Sequence, residues 1–350
     1  MMETVVKRIV LTGMGHWFPS TVLANQFYEN LDIGSASDWI ADRVGILERR
    51  SVLSHEDIVA LRRGEISRAQ LQADGRILSM GEMAVEPWKM ALERTESSGS
   101  GSLEPDLVIS GSSVPDWDIP ANACAIAHKL KIECAGFDVN SACSSFAVNL
   151  HVARALMQGG MHRTTAIFNI ERYTTRIDFR DRASCVLFGD SAAAAILTTV
   201  DKASRKSRLP LGGLELIDTV VHSSPAGAPH VRLPEGDVFS QNGSAVQKFA
   251  VTKTVAVARE IMERNGLSAS DVQYFIGHQA NKRMLASAAD KLGFTPEQHL
   301  YNVDYYGNQG GSGAPTVLSM HWDKFRSDDY IVVAVVGSGL TWGAALFRKI

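Results

Sequence analysis

The sequence predicts a layered α/β fold built from two related halves, and two observations carry this prediction. Short aliphatic runs alternate with runs of helical periodicity along the 350 residues, a pattern typical of strands and helices stacked in layers. A weak internal repeat also relates segments 105–111 and 270–277, and it places Asp106 and Asp271 165 positions apart (271 − 106 = 165). Because such repeats report architecture, we expect a duplicated fold.

Each predicted element rests on its residue types. The strand-like runs are short and aliphatic, as in a sheet that is buried on both faces, and they cover residues 9–12, 107–110, 166–169 and 331–336. Helical periodicity marks residues 83–94, 148–158 and 251–264. We therefore expect an N-terminal half over residues 1–200 and a C-terminal half over residues 201–350. The charged, helix-prone residues at about 51–79 predict an inserted helical flap in the first half.

The composition argues against several classes of protein. A net charge of −3 argues against a nucleic-acid partner, and no run approaches the roughly 18 apolar residues of a membrane span. The N-terminus lacks a signal-like apolar core. The cysteines show neither CxxC pairing nor metal-ligand spacing, which predicts no metal site and a reducing, cytoplasmic location; they are Cys124, Cys134, Cys143 and Cys185.

Three short segments carry residues suited to acyl-transfer chemistry: residues 141–145, 278–281 and 307–311. Cys143 follows the strand-like run 137–140 and begins a helix, where unpaired N–H groups favour a thiolate. Asn308 follows a second strand-like run, 301–304, and lies 165 positions after Cys143 (308 − 143 = 165). The internal repeat therefore predicts that the Cys143 and Asn308 loops occupy matching places in the two halves.

His278 completes the candidate site, because it follows the strand-like run 274–276 at a position where α/β folds bind their ligands. A histidine N–H and an asparagine amide can both donate to a thioester oxygen and stabilise negative charge there without becoming charged. Taken singly, each residue also has an ordinary structural explanation: Cys143 as a buried structural cysteine, His278 as a core histidine and Asn308 as a turn residue. Their combination favours an enzyme that takes an acyl group onto sulfur and builds a carbon–carbon bond from it.

Three further stretches, like the segments above, match patterns of a known family; they are residues 38–50, 188–194 and 337–344. On these stretches and segments, the sequence resembles the β-ketoacyl-acyl-carrier-protein synthase III group of the thiolase superfamily over nearly its whole length. The resemblance implies the thiolase fold, in which a duplicated half forms five layers, αβαβα, about a pseudo-twofold axis. It also implies a homodimer.

The resemblance further implies a mechanism that needs no metal or redox cofactor. Cys143 attacks an acyl thioester and holds the acyl group, while the backbone N–H groups of Cys143 and Ser338 form the oxyanion hole. A malonyl thioester then binds, and His278 and Asn308 stabilise the enolate left by its decarboxylation. The implied partners are an acyl-CoA or acyl-carrier protein and a malonyl-type carrier protein, so coenzyme A or phosphopantetheine thioesters are substrates.

Binding residues are implied in the same way. Trp39, Arg43 and Arg182 occupy positions where the family contacts coenzyme A, and Asn281 lies further along the pantetheine channel. Lys282 and Arg283 fall where the family docks its acidic carrier protein.

Two departures from the family pattern concern the acyl group. Asn308 is followed by Gln309-Gly310-Gly311, where the family commonly has Thr-Ser. Ile119, which would cap the acyl pocket across the dimer, stands in place of an aromatic residue. Both favour a specialised member that acts on longer or unusual acyl groups in fatty-acid or polyketide-type biosynthesis.

Three alternatives remain open at the level of sequence. The same residues could transfer an acyl group to oxygen or nitrogen, or join two acyl chains head to head, including two β-keto chains that close to a pyrone. A papain-like hydrolase also uses Cys, His and Asn, but it leaves the internal repeat and Trp39-Arg43 unexplained. A non-catalytic partner of a carrier protein would usually lack the nucleophile, and Cys143 is present.

Overall fold

A computed structural model describes residues 7–98, 103–200, 212–234 and 236–350. Its strands are β1 Arg8–Trp17, β2 Thr21–Ala24, β3 Glu48–Ser51, β4 Leu107–Gly111, β5 Ala135–Asp138, β6 Thr164–Glu171, β7 Ser191–Val200, β8 Leu214–Ser223, β9 Val231–Arg232, β10 Ser240–Gln241, β11 Tyr274–Gly277, β12 His299–Leu300, β13 Tyr330–Gly337 and β14 Thr341–Lys349. Its helices are α1 Asn25–Asn30, α2 Ser37–Val44, α3 His55–Arg63, α4 Arg68–Ala73, α5 Met80–Met83, α6 Val85–Ser97, α7 Asn122–Leu130, α8 Ser145–Gln158, α9 Gly243–Arg264, α10 Lys282–Leu292, α11 Val303–Tyr306 and α12 Gly313–Met320.

The main sheet shows the duplication directly. Its strand order is β12-β11-β13-β14-β8-β1-β7-β6-β4-β5. From the centre toward one edge, β1 is followed by β7, β6, β4 and β5, and toward the other edge β8 is followed in the same way by β14, β13, β11 and β12. In each half, the two strand pairs nearest the edge of the sheet are parallel and the two strand pairs nearest the centre are antiparallel. The halves meet where Val10 and Leu11 pair with Glu215 and Leu214. The predicted duplication is therefore confirmed.

Helices cover this sheet in three layers, because each half-sheet is apolar on both faces. Helices α8 and α12 lie between the two half-sheets, and their apolar residues share one central cluster with β1 and β13. Helices α6 and α7 cover the outer face of the first half, and α9 and α10 cover the outer face of the second. The layers therefore follow the order αβαβα, as expected.

The predicted elements lie within observed ones, with two exceptions: the run 137–140 extends two residues beyond β5, and the run 301–304 is not a strand. Runs 9–12, 107–110, 166–169 and 331–336 fall in β1, β4, β6 and β13, and the periodic stretches fall in α5–α6, α8 and α9. Residues 301–304, however, do not form a strand, because only His299–Leu300 pairs with β11. Asn302 instead bonds to the side chains of Gln279 and Thr316, and α11 begins at Val303.

Residues 51–79 contain α3 and α4, and each helix begins at a serine in a capping box. Arg68 of α4 donates to the carbonyls of Thr175 and Ile177 at 2.7 and 2.6 Å, so this segment is attached to the chain beyond β6. Its status as an insertion stays a prediction. So does the boundary between the halves at 200–201, because residue 201 lies outside the described residues. Within the described ranges, no helix is long and apolar enough to cross a membrane.

Candidate active site

Cys143 lies in a short 3₁₀ turn, Ala142–Ser144, between β5 and α8. Ala142 has a left-handed φ of 47°, and its N–H donates to Asn140 Oδ1 at 2.8 Å. The Ser141 N–H donates to Ser145 Oγ at 2.8 Å, and Ser144 Oγ donates to the Ser141 carbonyl at 2.7 Å. These bonds hold Cys143 in the turn that leads directly into α8, as the sequence predicts.

The surroundings of Cys143 favour a neutral thiol. Burial, followed by the charge of Glu171, raises the pKa of Cys143 to about 12, against the opposing effects of the Tyr173 hydroxyl and a backbone N–H. Burial thus acts against the thiolate that the helix N-terminus is expected to favour. Acyl transfer to this sulfur requires a group that removes its proton.

Asn308 is held by its neighbours so that its side chain can act as a donor. Its N–H donates to the Leu187 carbonyl at 2.8 Å, and its carbonyl accepts the Gly189 N–H at 3.0 Å. Its side-chain Oδ1 accepts the Gly310 N–H at 3.0 Å. The remaining hydrogen-bonding group is the Nδ2 amine, which can donate into the cavity that Asn308 lines.

His278 follows the last residue of β11, as expected. Burial lowers its pKa to about 4, so the imidazole is neutral near pH 7. Its Nδ1 has no hydrogen-bond partner among the described residues. A neutral ring can donate one N–H to a substrate oxygen without carrying a charge of its own.

A buried network that the sequence did not reveal connects the His278 and Asn308 loops. Gln279 donates to the Gly277 carbonyl at 2.7 Å and accepts the Asn302 N–H at 3.0 Å. Gln309 donates to Asn302 Oδ1 at 2.8 Å and accepts a bond from Thr316 Oγ1 at 2.8 Å. Its sequence signal is a glutamine directly after each of the two candidate residues.

One cavity of about 530 Å³ brings the predicted groups together. Cys143, His278, Asn308 and Ser338 all line it. Gly337 packs against the nucleophile turn so closely that a Cβ there would lie 2.6 Å from the Ser144 nitrogen. The turn that carries Ser338 therefore lies beside the turn that carries Cys143, as a shared oxyanion hole requires.

The predicted coenzyme A residues line the same cavity. Trp39 is 40% exposed, and the Arg182 guanidinium lies 5.0 Å above the centre of its ring. Arg43 is exposed and also lines the cavity. Asn281 lines it too, while its Oδ1 caps α10 by accepting the Arg283 and Met284 N–H groups at 2.9 and 3.2 Å. Two guanidinium groups beside an exposed indole suit a phosphorylated ligand.

An apolar wall of the cavity was not predicted, because its residues come from distant parts of the chain. It consists of Val186, Leu187, Phe188, Val231, Phe239 and Leu340. Arg49, fully buried, supports this wall by donating to the Val186 carbonyl at 2.8 Å. Such a wall suits an acyl chain.

Three of the predicted binding residues lie outside the cavity. Lys282 pairs with Asp304 at 3.1 Å and lies 4.8 Å from the centre of the Tyr301 ring. Arg283 is exposed at the start of α10, and Ile119 is 85% exposed. Their contacts with a carrier protein and with a second subunit stay predictions.

Comparisons with known proteins give the same picture. Models of the 3-oxoacyl-[acyl-carrier-protein] synthase III family match residues 137–210 and, for its C-terminal part, residues 262–349. The β-ketoacyl-[acyl-carrier-protein] synthase III of Sulfurovum sp. is 30% identical over 350 residues, covering 95% of this chain and 94% of its own.

Solved structures agree over nearly the whole chain. The 3-oxoacyl-[acyl-carrier-protein] synthase III of Aquifex aeolicus VF5 superposes with a TM-score of 0.81 and 26% identity, covering 98% of this chain and 99% of its own. The priming β-ketosynthase of the R1128 polyketide pathway shares the fold, with a TM-score of 0.80, 24% identity and coverage of 97% and 96%.

The duplicated five-layer fold and the cavity around Cys143 define a condensing enzyme of the thiolase-like class, an acyltransferase. The chain belongs to the β-ketoacyl-acyl-carrier-protein synthase III family.

Proposed function

We propose that Cys143 takes an acyl group from an acyl thioester and that His278 and Asn308 then support decarboxylative condensation with a malonyl thioester. The observation that carries this proposal is one cavity lined by Cys143, His278 and Asn308, which brings two neutral donors into the same site as the thiol. Loss of CO₂ from the malonyl group leaves an enolate, and its developing charge is what neutral donors stabilise best. The carbanion attacks the acyl-Cys and releases a β-keto thioester.

The apolar wall beside Cys143 supports a specialised acyl substrate. Phe188 and Phe239 meet edge to face with ring centroids 4.6 Å apart, and both line the cavity. An acyl chain bound to the sulfur would remove apolar surface from water along this wall. The priming ketosynthase that shares the fold acts in polyketide biosynthesis, which supports the same reading.

The proposed partners follow from exposed residues that line the cavity and from exposed residues at the start of α10. Trp39, Arg43 and Arg182 at the exposed end would bind the phosphorylated part of coenzyme A or of a carrier protein's phosphopantetheine. The exposed cation Arg283, next to Lys282 on α10, would meet the acidic surface of a carrier protein. A homodimer and a cytoplasmic location complete the proposal.

Intact-protein mass spectrometry tests the acyl-enzyme. Wild type and Cys143→Ala are mixed with acyl-CoAs from acetyl to dodecanoyl. Because the sulfur is the proposed attachment point, only the wild type should gain the mass of an acyl group. The chain length that loads fastest would report the size of the apolar compartment.

A second step separates condensation from the alternatives. Malonyl-acyl-carrier protein is added to the loaded enzyme, and CO₂ and the β-keto product are measured. Release of CO₂ together with loss of the acyl mass supports decarboxylative condensation. Transfer of the acyl group to an oxygen, nitrogen or second acyl substrate, without malonyl consumption, would overturn it. Equal mass gain by Cys143→Ala would overturn the assignment of the nucleophile.

A further inference from the structure

A carboxyl group from the first half of the chain lies against the turn that carries Asn308 in the second half. It belongs to Glu171, the last residue of β6, which is fully buried. Glu171 Oε1 accepts the Gly311 N–H at 3.1 Å, three positions after Asn308. Glu171 lies outside the set of described residues that line the cavity, and the roles proposed above do not use it.

The chain after β4 holds the same carboxyl group from a second direction. Glu171 Oε2 accepts the Ser113 N–H at 3.0 Å, and Oε1 accepts the Ser113 hydroxyl at 3.1 Å. Burial raises the pKa of Glu171 to about 8, against these bonds and the bond from Gly311. Both protonation states keep oxygen lone pairs for the two backbone N–H groups, so the contact does not depend on the charge. Glu171 thus connects the chain after β4 to the Asn308 turn.

Two adjacent peptide groups transmit this contact to the Asn308 side chain. The Gly310 N–H donates to Asn308 Oδ1 at 3.0 Å, and the next N–H along the chain, that of Gly311, donates to Glu171. Because planar peptide groups that share a Cα atom have only two soft dihedrals between them, anchoring one restricts the direction of the other. Asn308 Oδ1 is thereby held by the backbone, and its Nδ2 amine is left to donate into the cavity.

Glycines in the Asn308 turn leave room for the carboxyl group. Gly310 has a left-handed φ of 56°, and a Cβ there would lie 3.1 Å from the Glu171 carboxyl. A Cβ at Gly311 would lie 3.2 Å from Glu171 Oε1. A side chain at either position would press on the carboxyl group, so the turn and Glu171 are complementary in shape.

The duplication of the fold links this contact to Asn308. Strands β6 and β13 occupy equivalent places in the two halves. Gly337, the last residue of β13, packs against the Cys143 turn, where a Cβ would lie 2.6 Å from the Ser144 nitrogen. Each catalytic turn therefore contacts the end of the equivalent strand from the opposite half. Only the contact at the Asn308 turn has room for a side chain, and Glu171 supplies it.

We propose that Glu171 is a positioning residue for condensation, an inference that rests on the role proposed above for Asn308. Its carboxyl group fixes the Gly311 N–H, and through the neighbouring peptide it directs the Asn308 amide donor at the developing enolate. A preorganised donor stabilises that charge only while it is held in the productive direction. Loading of Cys143 precedes enolate formation, so it does not depend on this alignment.

Glu171→Gln tests the role with little change in side-chain volume. The amide offers one oxygen to three donors and turns its own N–H groups toward the others, so bonds are lost. With the acyl-CoA that the wild type loads fastest, condensation in a single turnover should slow about 10-fold, while loading changes less than about 2-fold. A role of charge alone predicts the opposite sign, because removing a negative charge near a forming enolate favours the enolate.

Glu171→Met removes every acceptor atom and should slow condensation by about 10², the effect expected of a displaced donor. Backbone amide exchange, which needs no activity, should become faster in peptides covering 309–313 and stay unchanged in peptides covering 141–145. In an Asn308→Ala background, Glu171→Gln should slow condensation no further, because both changes act through one donor.

Asp106→Asn is the matched control, because Asp106 accepts the Arg163 and Thr164 N–H groups at 2.8 and 3.3 Å at the opposite end of β6. This substitution should leave the rates of both loading and condensation within about 2-fold of the wild type, since it alters carboxylate–backbone bonds far from the Asn308 turn.

The outcomes separate the positioning role from its alternatives. If Glu171→Gln condenses as fast as the wild type or faster, Glu171 does not position Asn308, and this result decides even if Glu171→Met fails to fold. If loading and condensation fall equally, the substitution disturbs the whole site and the inference is wrong. If the loaded wild type releases no CO₂ from malonyl-acyl-carrier protein, the proposed function fails, and the positioning role fails with it even where amide exchange at 309–313 becomes faster.

Discussion

At the scale of single residues, the site combines neutral donors with a thiol that resists ionisation. Burial lowers the pKa of His278 to about 4 and raises that of Cys143 to about 12, so both are uncharged near pH 7. Charge therefore develops only during the reaction, where a preorganised donor lowers the barrier most. The same burial makes the removal of the thiol proton a separate problem.

Asn308→Asp should separate acyl loading from condensation. The carboxylate keeps an oxygen for the Gly310 N–H but loses the amide donor, and it places negative charge beside the forming enolate. Loading of Cys143 should be retained, whereas the condensation rate should fall by about 10²–10³. Single-turnover loading and release of ¹⁴CO₂ from labelled malonyl-acyl-carrier protein measure the two steps. Unimpaired condensation would contradict the enolate assignment.

At the scale of elements, the site is set by turns that approach one another rather than by the strands themselves. The Asn308 turn bonds to residues 187–189, and its glycines lie against Tyr173 and Glu171. The sequence identifies the Cys143, His278 and Asn308 turns because each adjoins a recognisable local pattern. It does not reveal the packing of Tyr173 against Gly310 or the place of Phe239 in the cavity, because both arise from contacts between segments far apart in the chain.

Gly310→Ala should destabilise the protein, because the turn that carries Gly310 packs closely against Tyr173. The added methyl would overlap the Tyr173 ring, and the left-handed φ of 56° adds about 1–2 kcal/mol of strain. Together with overpacking, the loss in the free energy of unfolding should reach about 3 kcal/mol. Urea unfolding followed by circular dichroism measures it.

Gly64→Ala provides the matched control for this substitution. Gly64 also has a left-handed φ, of 71°, but nothing lies within 4 Å of the position of an added Cβ. The decrease in the free energy of unfolding of Gly64→Ala should be limited to the backbone strain of about 1–2 kcal/mol. Equal losses for the two variants would show that Tyr173 does not pack against Gly310 as described.

At the scale of the whole molecule, duplication explains why one cavity can hold residues from both halves. Equivalent crossovers bring the turn before α8 and the turn before α12 to the middle layer, so that Cys143 and Asn308 line one cavity. The alternation of strands and helices and the 165-residue repeat predicted this arrangement. The failure at residues 301–304 has a tertiary cause, since the Asn302 side chain binds groups from two other segments.

The duplicated sheet nevertheless has unequal edges, and this difference predicts a dimer. Strand β12 at one end is buried, whereas most of β5 at the other end is exposed, including Phe137. Ile119 and Trp117, 85% and 54% exposed, add further apolar surface. Exposed edge strands with apolar side chains are usually covered in native proteins, and a second copy of this chain would cover this one.

Light scattering after size exclusion tests the dimer. The wild type should have twice the chain mass of 38.0 kDa, and Phe137→Glu combined with Ile119→Glu should shift it toward 38.0 kDa because charges are costly in an apolar interface. Tyr305→Glu, at an exposed aromatic residue on α11, should remain dimeric. If Ile119 also caps the partner's acyl pocket, the charged variant should load a different range of acyl-CoA chain lengths. A wild type of 38.0 kDa at micromolar concentration would contradict both expectations, because the exposed β5 edge would then be stable without a partner.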